Sequence, residues 1–277
     1  MTEKYDLHCH SNASDGVLSP RELVIRAKNK GVTTLSLTDH DTTDGLNEAQ
    51  LVAQDQGIRL IPGIELSVTW QNKTLHIIGL NINPDNQALS EGIKNLQILR
   101  QDRAEKIAKK LAHKKVIGAL EAVEKSAGKG MITRTHFADF LLEKQLVNSQ
   151  QDAFDKYLGK GKPAFVATEW TDMETAISLI LQSGGLPIIA HPLRYKLTAS
   201  WMRRLLSAFK ELGGVAIEVV TGRSNPDEIA IAGKYAKDFQ LSGSVGSDFH
   251  SPNNVWVELG RLANLPADIK PVWNLLP

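Results

Sequence analysis

The sequence contains only one cysteine, Cys9, so the chain cannot form a disulfide with itself. It has no run of about 18 apolar residues, which excludes a transmembrane helix. The first residues, MTEKYDLHCH, lack the basic start and apolar stretch of a secretory signal peptide. These absences together predict a cytoplasmic protein with no membrane attachment.

Net charge is also low, at +1 from 32 basic and 31 acidic residues, so a surface field that holds long nucleic acid is not expected. The charge is unevenly distributed. Residues 91–163 carry 15 Lys and Arg against 9 Asp and Glu, a balance of +6, and the rest of the chain carries 17 against 22. The basic segment either presents a solvated lysine-rich helix face or faces an anionic substrate.

Short apolar runs alternate with helical stretches along most of the chain. Five of the seven runs are largely apolar throughout, as is typical of strands buried on both faces of a parallel sheet. We therefore predict an α/β fold. The predicted strands are residues 5–11, 33–40, 58–68, 74–81, 186–192, 214–220 and 241–250. The predicted helices between them are residues 20–30, 44–56, 172–183, 198–212 and 226–239.

Residues 86–169 depart from this alternation. A long helix is predicted over 90–115, and shorter helices over 117–127, 134–144 and 150–158. The apolar stripe of the long helix consists of Ile93, Leu96, Leu99, Ile107 and Leu111. We predict that 86–169 is a small helical insertion, or lid, in a barrel built from 1–85 and 170–277.

Six of the eight histidines and three carboxylates lie at or near the ends of predicted strands, where catalytic groups gather in α/β barrels. They are His8, His10, His40, His76, His191 and His250, with Asp15, Glu65 and Asp248. Residues i and i+2 of a strand point the same way, so His8 and His10 face one site, as do Asp248 and His250. These pairs belong to the first and last strands and become neighbours only if the sheet closes. The sequence therefore predicts a closed barrel.

A lone histidine is more often a hydrogen-bonded side chain than a metal ligand. Six imidazoles clustered without a metal would repel one another once protonated. Metal coordination explains both their number and the accompanying carboxylates. We therefore predict a site for divalent ions, and these ligands suit Mn²⁺, Zn²⁺ or Fe²⁺ without choosing among them.

At these positions the chain resembles the polymerase and histidinol phosphatase superfamily of metal-dependent phosphoesterases. The matching residues are His8-Cys9-His10 with Asp15, Thr38-Asp39-His40, Glu65 with His76, His191-Pro192, and Ser247-Asp248-Phe249-His250. The resemblance implies a distorted seven-stranded (β/α) barrel that holds two to three divalent ions, most commonly Mn²⁺. It implies three ligand sets: His8, His10, Glu65 and Asp248; Glu65, His76 and His191; and Asp15, His40 and His250.

The charge of such a site favours a phosphate substrate, because three divalent ions and three carboxylates leave it at roughly +3. A hydroxide shared by two ions is the expected nucleophile, since bound water has its pKa lowered toward ~7. Asp39, beside His40, is a catalytic candidate. We expect it to orient an imidazole rather than bind an ion. The alternative is a polar residue that merely ends a strand.

Several basic residues near the rim are candidates for substrate binding. Arg134 stands at a predicted helix start, and a helix N-terminus with a guanidinium suits phosphate. Arg194 and Arg223 follow strands closely, and Lys162 lies in a glycine-flanked GKGK stretch that is also typical of a plain loop. His136 is either a proton donor or an ordinary helix residue.

Within the superfamily, the chain is similar to a stand-alone bacterial branch that removes the 5′-phosphate of nucleoside 3′,5′-bisphosphates and trims short RNA from the 5′ end. The similar stretches are ASDG (13–16), TDHDTT (38–43), ITRTHFADFL (132–141), YLGKGKPAFV (157–166) and AHPLRY (190–195). The implied substrate is a small nucleotide or short 5′-phosphorylated RNA, and no obligate protein partner is evident.

Two other functions remain open from the sequence. A histidinol-phosphate phosphatase or another small phosphomonoesterase would use the same metal site. The amine of histidinol phosphate, however, calls for a carboxylate in the lid rather than a basic segment. A metal-stabilised structural module would have no activity at all. The five tryptophans, Trp256 and Trp273 among them, are interpreted as core residues rather than interface residues.

Overall fold

The computed structural model describes residues 3–277 and contains eight strands in that part of the chain. The strands are β1 (Tyr5–Asp6), β2 (Thr34–Leu37), β3 (Arg59–Trp70), β4 (Lys73–Leu80), β5 (Thr171–Asp172), β6 (Leu186–Ile189), β7 (Ala216–Thr221) and β8 (Ser242–Gly246). The helices are α1 (Pro20–Asn29), α2 (Leu46–Gln56), α3 (Gln87–His113), α4 (Ala119–Ala127), α5 (Arg134–Glu143), α6 (Gln150–Ala153), α7 (Met173–Gln182), α8 (Ala199–Glu211) and α9 (Pro226–Asp238). No helix of these residues has the length and apolar character needed to cross a membrane.

Seven strands form a nearly closed barrel in the order β1-β2-β3-β4-β6-β7-β8, and β5 pairs only with β3. The first and last strands meet beyond their regular ends. The backbone N–H of Leu7 donates to the Val245 carbonyl at 3.0 Å, and that of His10 donates to the Phe249 carbonyl at 2.9 Å. The predicted α/β barrel of seven strands is therefore confirmed.

One strand departs from the parallel arrangement that the apolar runs indicated: β4 runs antiparallel to both β3 and β6. The cause is a two-residue turn between β3 and β4. Gln71 and Asn72 have φ values of 48° and 59°, the left-handed pair of conformations that closes a tight hairpin. Because β4 is reversed, its amino end and not its carboxyl end points to the rim that carries the other histidines.

The helices cover the sheet with their apolar faces. Capping residues determine where two of them begin. Ser19 and Glu22 form a reciprocal capping box at the start of α1, and Asn225 and Glu228 do the same for α9.

The predicted strands 5–11 and 241–250 are longer than the observed β1 and β8. Beyond these short strands the backbone bends, and Asp248 adopts a left-handed φ of 56°.

The helices between β4 and β5 contribute to two separate apolar clusters. The first half of α3 contributes Leu89, Ile93 and Leu96 to the main core. Its second half forms a separate apolar cluster with α4, α5 and α6, centred on Phe137 and Leu141. The helix begins earlier than predicted because the Asn86 side chain accepts from the Leu89 N–H. Arg100 is buried in the stripe where Leu99 was expected, and Leu99 is half-buried. A distinct insertion domain over 86–169 stays a prediction.

Candidate metal and phosphate site

All nine predicted metal-binding side chains come together at one rim of the barrel. Their elements explain this. β1, β2, β6 and β8 are followed closely by histidines or by Asp248, and the loop between β1 and α1 carries Asp15. Glu65 comes from the middle of the long strand β3, and His76 from the amino-terminal half of β4. His8, His10 and Glu65 are fully buried. The early position of His76 in its predicted strand, anomalous for a parallel strand, follows directly from the reversal of β4.

Four ligand atoms form the tightest group. His8 Nε2 and His10 Nε2 are 3.0 Å apart. Glu65 Oε2 lies 3.4 Å from the first and 3.3 Å from the second, and Asp248 Oδ1 lies 3.5 and 3.4 Å from them. A tetrahedral ion with ligands at ~2.1 Å has ligand edges of about 3.4 Å. His8, His10 and Glu65 could therefore hold one ion together, and Asp248, which approaches both imidazoles, would complete the first predicted set.

Glu65 places its two oxygens toward different histidines. Oε1 lies 3.0 Å from His76 Nδ1 and 3.1 Å from His191 Nε2. Oε2, which belongs to the first group, also lies 2.9 Å from His40 Nδ1. Glu65 would therefore be able to offer one oxygen to each of two ions, as the predicted sets require.

A third group surrounds Asp15. Its Oδ1 lies 3.3 Å from His250 Nε2 and 3.9 Å from His40 Nε2. The ligand atoms of His10, Asp15, His40 and His250 all lie within 4.8 Å of one another. The structure thus adds His10 to the predicted third set. It also gives His40 a contact with Glu65 that the predicted sets did not include.

Several of these atoms are buried with no hydrogen-bond partner within residues 3–277. Four of them face the site, Asp15 Oδ1, His40 Nδ1, Glu65 Oε2 and His76 Nδ1, and the short contacts given above lack hydrogen-bond geometry. The fifth, His191 Nδ1, belongs to a ring whose other nitrogen, Nε2, faces Glu65. Buried polar atoms are costly to leave unpaired, by about 1–3 kcal/mol each. The convergence of the first four therefore fits cations that satisfy them together.

The electrostatics of the cluster suit cation binding as well. Burial raises the pKa of Glu65, but the imidazoles of His76 and His40 outweigh it and hold the pKa well below its usual range. Burial, reinforced by His250 and His40, lowers the pKa of His10 to about 3. Ionised Glu65 and neutral His10 are the forms that bind metal ions. At His8, His40 and His250 burial is outweighed by the neighbouring carboxylates, which raise the pKa of these three imidazoles, that of His250 to about 9, so an ion bound there would displace protons.

Sequence reasoning missed Glu218, which is buried behind the histidines. Its Oε1 lies 3.0 Å from His8 Nδ1, and its Oε2 accepts the His191 backbone N–H at 2.6 Å. The first contact assigns the His8 proton to Nδ1 and leaves Nε2 to face the site. The second holds His191 at a φ of 28°, which is rare for a non-glycine residue. In the sequence, Glu218 could have been noticed as the single charged residue within the apolar run GVAIEVV.

Asp39 makes no hydrogen bond to an imidazole among the described residues. It accepts from the Ser11 N–H at 2.8 Å, the Ser11 hydroxyl at 2.6 Å and the Ser14 hydroxyl at 2.6 Å. The Ser14 Oγ lies 3.5 Å from His10 Nδ1. Asp39 therefore fixes the loop that carries His10 and Asp15. Orientation of an imidazole by Asp39 stays a prediction, and the contact through Ser14 is its basis.

The start of α5 is attached directly to Asp15. The hydroxyls of Thr133 and Thr135 donate to Asp15 Oδ2 at 3.0 and 2.8 Å, which leaves Oδ1 facing the histidines. His136 closes the cap of this helix, since its Nδ1 accepts the Thr133 N–H at 3.1 Å. The proton of neutral His136 is therefore on Nε2, and burial lowers the pKa of the ring.

Three guanidiniums cluster beside this helix start, of which the sequence predicted only Arg134. Arg100 is neutralised by Asp41 at 2.6 Å and, like Arg103, lies 5.2 Å from the Trp170 ring. The buried Nε of Arg103 has no hydrogen-bond partner among the described residues. Burial, followed by the charges of Arg134 and Arg100, lowers the pKa of Arg103 to about 8. Such a cluster favours an anion.

The other basic candidates are distributed differently. Arg194 donates to Asp248 Oδ2 at 2.6 Å, so it touches a predicted metal ligand. Arg194 and Arg223 line one small cavity of about 60 Å³ beside His191. Lys162 is exposed, and within residues 3–277 no hydrogen bond or ion pair joins its side chain to the rim. A role for Lys162 stays a prediction without a contact to support it.

Comparison with known proteins agrees with the fold. Residues 6–222 match the PHP domain family. The chain is 45% identical over 273 residues to the 5'-3' exoribonuclease of Haemophilus influenzae, with 99% of both chains covered. It is 38% identical over 272 residues to the 3',5'-nucleoside bisphosphate phosphatase of Chromobacterium violaceum, covering 98% of this chain and 95% of that one.

A solved structure is similar over the same length. An amidohydrolase from Chromobacterium violaceum, with bound sulfate and no metal, has a TM-score of 0.94 and 37% sequence identity. The match covers 98% of this chain and 95% of the other. The resemblance inferred from the histidine and carboxylate motifs is confirmed, and the chain belongs to the PHP domain family.

Proposed function

We propose that the protein hydrolyses the 5′-phosphate of nucleoside 3′,5′-bisphosphates and trims short RNA from its 5′ end, in the cytoplasm. The observation that carries the proposal is the cluster of Arg100, Arg103 and Arg134 beside the rim. Thr133 and Thr135, which flank Arg134, both bond to Asp15. A binding region for a second phosphate therefore adjoins the cation site. The names of the two curated relatives are those of enzymes for such substrates.

Two regions of the chain would have different roles, one in binding the ions and one in binding the remote phosphate. His8, His10, Glu65 and Asp248 would hold one ion, and the groups around Glu65 and Asp15 would hold the others, to a total of two or three. When bound, such ions, for which we favour Mn²⁺, polarise the phosphate and lower the pKa of water. Arg134 and Arg103 bind the remote phosphate. The Nε2–H of His136 is our candidate proton donor to the leaving oxygen.

The arginine cluster makes histidinol phosphate an unfavourable substrate, because its amine calls for a carboxylate rather than for guanidiniums. The cationic amine of that compound would face the guanidiniums of Arg103 and Arg134, and like charges repel. The relatives also carry nucleotide and RNA names. We therefore rank histidinol-phosphate phosphatase below the nucleotide activity.

Phosphate release from a substrate panel tests the proposal. The panel contains a nucleoside 3′,5′-bisphosphate, the 5′- and 3′-monophosphates, a short 5′-phosphorylated RNA and histidinol phosphate. We expect the bisphosphate and the RNA to be the best substrates. Fast release from histidinol phosphate alone would reverse the ranking, and release from none would favour a structural module.

Removal of metal ions should abolish this hydrolysis. The buried, unpartnered atoms of the rim require cations, so we expect a strong chelator to reduce turnover to background and to lower the melting temperature. Adding back Mn²⁺, Zn²⁺ or Fe²⁺ separately shows which ion restores the rate, and elemental analysis counts the ions bound. Full activity in chelator, with no bound metal, contradicts the proposal.

Arg134→Ala should impair hydrolysis of a substrate with two phosphates more than hydrolysis of a substrate with one. Loss of a desolvated charge contact costs ~2–5 kcal/mol, so kcat/KM for the 3′,5′-bisphosphate should fall at least about tenfold. The fall for the matching 5′-monophosphate should be much smaller, because it lacks the remote phosphate. Arg203→Ala, at an exposed position of α8, is the control. Equal loss on both substrates would assign Arg134 to the reacting phosphate, and no loss on either would leave Arg194 as the next candidate.

A further inference from the structure

A short loop with an unusual surface follows His250. Four backbone N–H groups donate within residues 251–257: Asn253 to Ser251 Oγ at 3.1 Å, Asn254 to the Ser251 carbonyl at 3.2 Å, Trp256 to Asn254 Oδ1 at 3.3 Å, and Val257 to the Asn254 carbonyl at 3.1 Å. Val257 is buried and anchors the loop in the core. The loop is therefore preformed.

The tip of this loop carries the two most exposed large apolar side chains of the described residues. Trp256 is 76% exposed and Val255 is 71% exposed. The interpretation of all tryptophans as core residues is thus wrong for Trp256, whereas Trp273 stacks on Tyr5 at 4.2 Å. A large aromatic ring that contributes so little to the core, on a fixed loop, is suited to contact a partner.

The loop is linked to the candidate site on two sides. It starts directly after His250, whose Nε2 lies 3.3 Å from Asp15 Oδ1. It also touches the end of β7, since a Cβ built on Gly222 would lie 3.0 Å from Val257 Cγ1. The next residue, Arg223, is exposed and lines the cavity that also contains Arg194 and His191. The loop therefore packs beside the end of β7, next to a residue that lines this cavity.

Three guanidinium groups lie near the loop or the adjoining rim. Arg194 pairs with Asp248, Arg223 lines the cavity beside His191, and Arg261 donates to the Val255 carbonyl at 2.7 Å next to Trp256. Cationic side chains interleaved with an exposed aromatic ring are typical of single-stranded nucleic-acid sites, where bases stack and guanidiniums meet phosphates. A purely apolar partner would not need the three arginines.

We infer that Trp256 is a stacking platform for a nucleobase of single-stranded RNA, on the 3′ side of the nucleotide whose 5′ end lies at the metal site. This inference rests on the proposed function and extends it. A mononucleotide ends before the platform, so the platform gives affinity to RNA alone.

The test compares wild type, Trp256→Ala, Trp256→Phe and the exposed control Ile117→Ala. Each is assayed for kcat/KM on a short 5′-phosphorylated RNA and on a nucleoside 3′,5′-bisphosphate. We expect Trp256→Ala to lower the RNA-to-bisphosphate ratio about tenfold, since stacking of one base is worth ~1–3 kcal/mol. Trp256→Phe should retain most of the ratio, and Ile117→Ala all of it. Fluorescence quenching by a hydrolysis-resistant phosphorothioate RNA should weaken in Trp256→Phe relative to wild type.

The outcomes separate this inference from the proposed function. An unchanged ratio in Trp256→Ala, with both substrates turned over by wild type, overturns the platform alone. So does a loss of self-association in Trp256→Ala with an unchanged ratio, which would identify a contact between copies of the chain. If wild type hydrolyses neither substrate, the proposed function fails. RNA quenching that is the same in wild type and Trp256→Phe then overturns the platform as well.

Discussion

Glu65→Gln should lower kcat/KM for a nucleoside 3′,5′-bisphosphate at least about a thousandfold, because metal ions supply several kcal/mol of transition-state stabilisation. Both oxygens of Glu65 contact imidazoles, and burial excludes water from them. An amide keeps the shape of the side chain but removes its charge and presents N–H groups to one side. We expect bound metal, measured by elemental analysis, to fall by at least one ion per chain.

Asp39→Asn is the matched control for this prediction. Asp39 is also a buried carboxylate at the rim, but its hydrogen bonds go to Ser11 and Ser14. We expect its loss of activity to be smaller and its metal content to be unchanged. A greater loss for Asp39→Asn than for Glu65→Gln would mean that Asp39, and not Glu65, is the more important metal ligand.

Glu218→Gln should weaken metal binding about 10- to 100-fold, as is usual when the carboxylate behind a metal-binding histidine is changed. The amide can accept from only one of its two present partners, His8 Nδ1 and the His191 N–H. Its NH₂ then opposes the other donor. Activity at low Mn²⁺ should fall, and excess Mn²⁺ should restore most of kcat. A purely structural role would not give this rescue by the ion.

Two further variants complete the Glu218 experiment. Glu218→Ala leaves two buried donors without an acceptor, at about 1–3 kcal/mol each, so its melting temperature should fall clearly below wild type. Glu211→Gln, an exposed change on α8, should alter neither stability nor ion dependence. If Glu218→Gln binds metal as tightly as wild type, Glu218 does not position the histidines.

The sequence allowed the barrel and most of the rim to be predicted because both follow simple periodicities. The i and i+2 spacing of His8 and His10, and of Asp248 and His250, placed each pair on one side of a strand. The two pairs can face one site only if the first and last strands are neighbours, and this condition predicted a closed barrel. The helix predicted over residues 20–30 likewise begins where α1 begins, at Pro20. These features depend on local spacing and on one topological condition.

The features that escaped prediction depend on long-range packing. Glu218 looks like a charge in an apolar strand until His8, 210 positions away, is placed beside it. Arg100 and Arg103 look like solvated residues of a basic helix until Asp41 and Trp170 surround them. The direction of β4 depends on a two-residue turn with no glycine in it. Only the three-dimensional neighbours of these residues reveal their roles.

The closure between β1 and β8 has a consequence for how the protein is made. Glu65 and His76 lie on adjoining strands joined by a tight turn, so their part of the rim can form as soon as that hairpin has been synthesised. The His8 side chain waits for Glu218 and Asp248, which emerge from the ribosome near the end of translation. Contacts so distant in sequence form late, because the chain must first lose the entropy of a very long loop. Metal capture by the four-atom group at His8 therefore reports completion of the whole barrel.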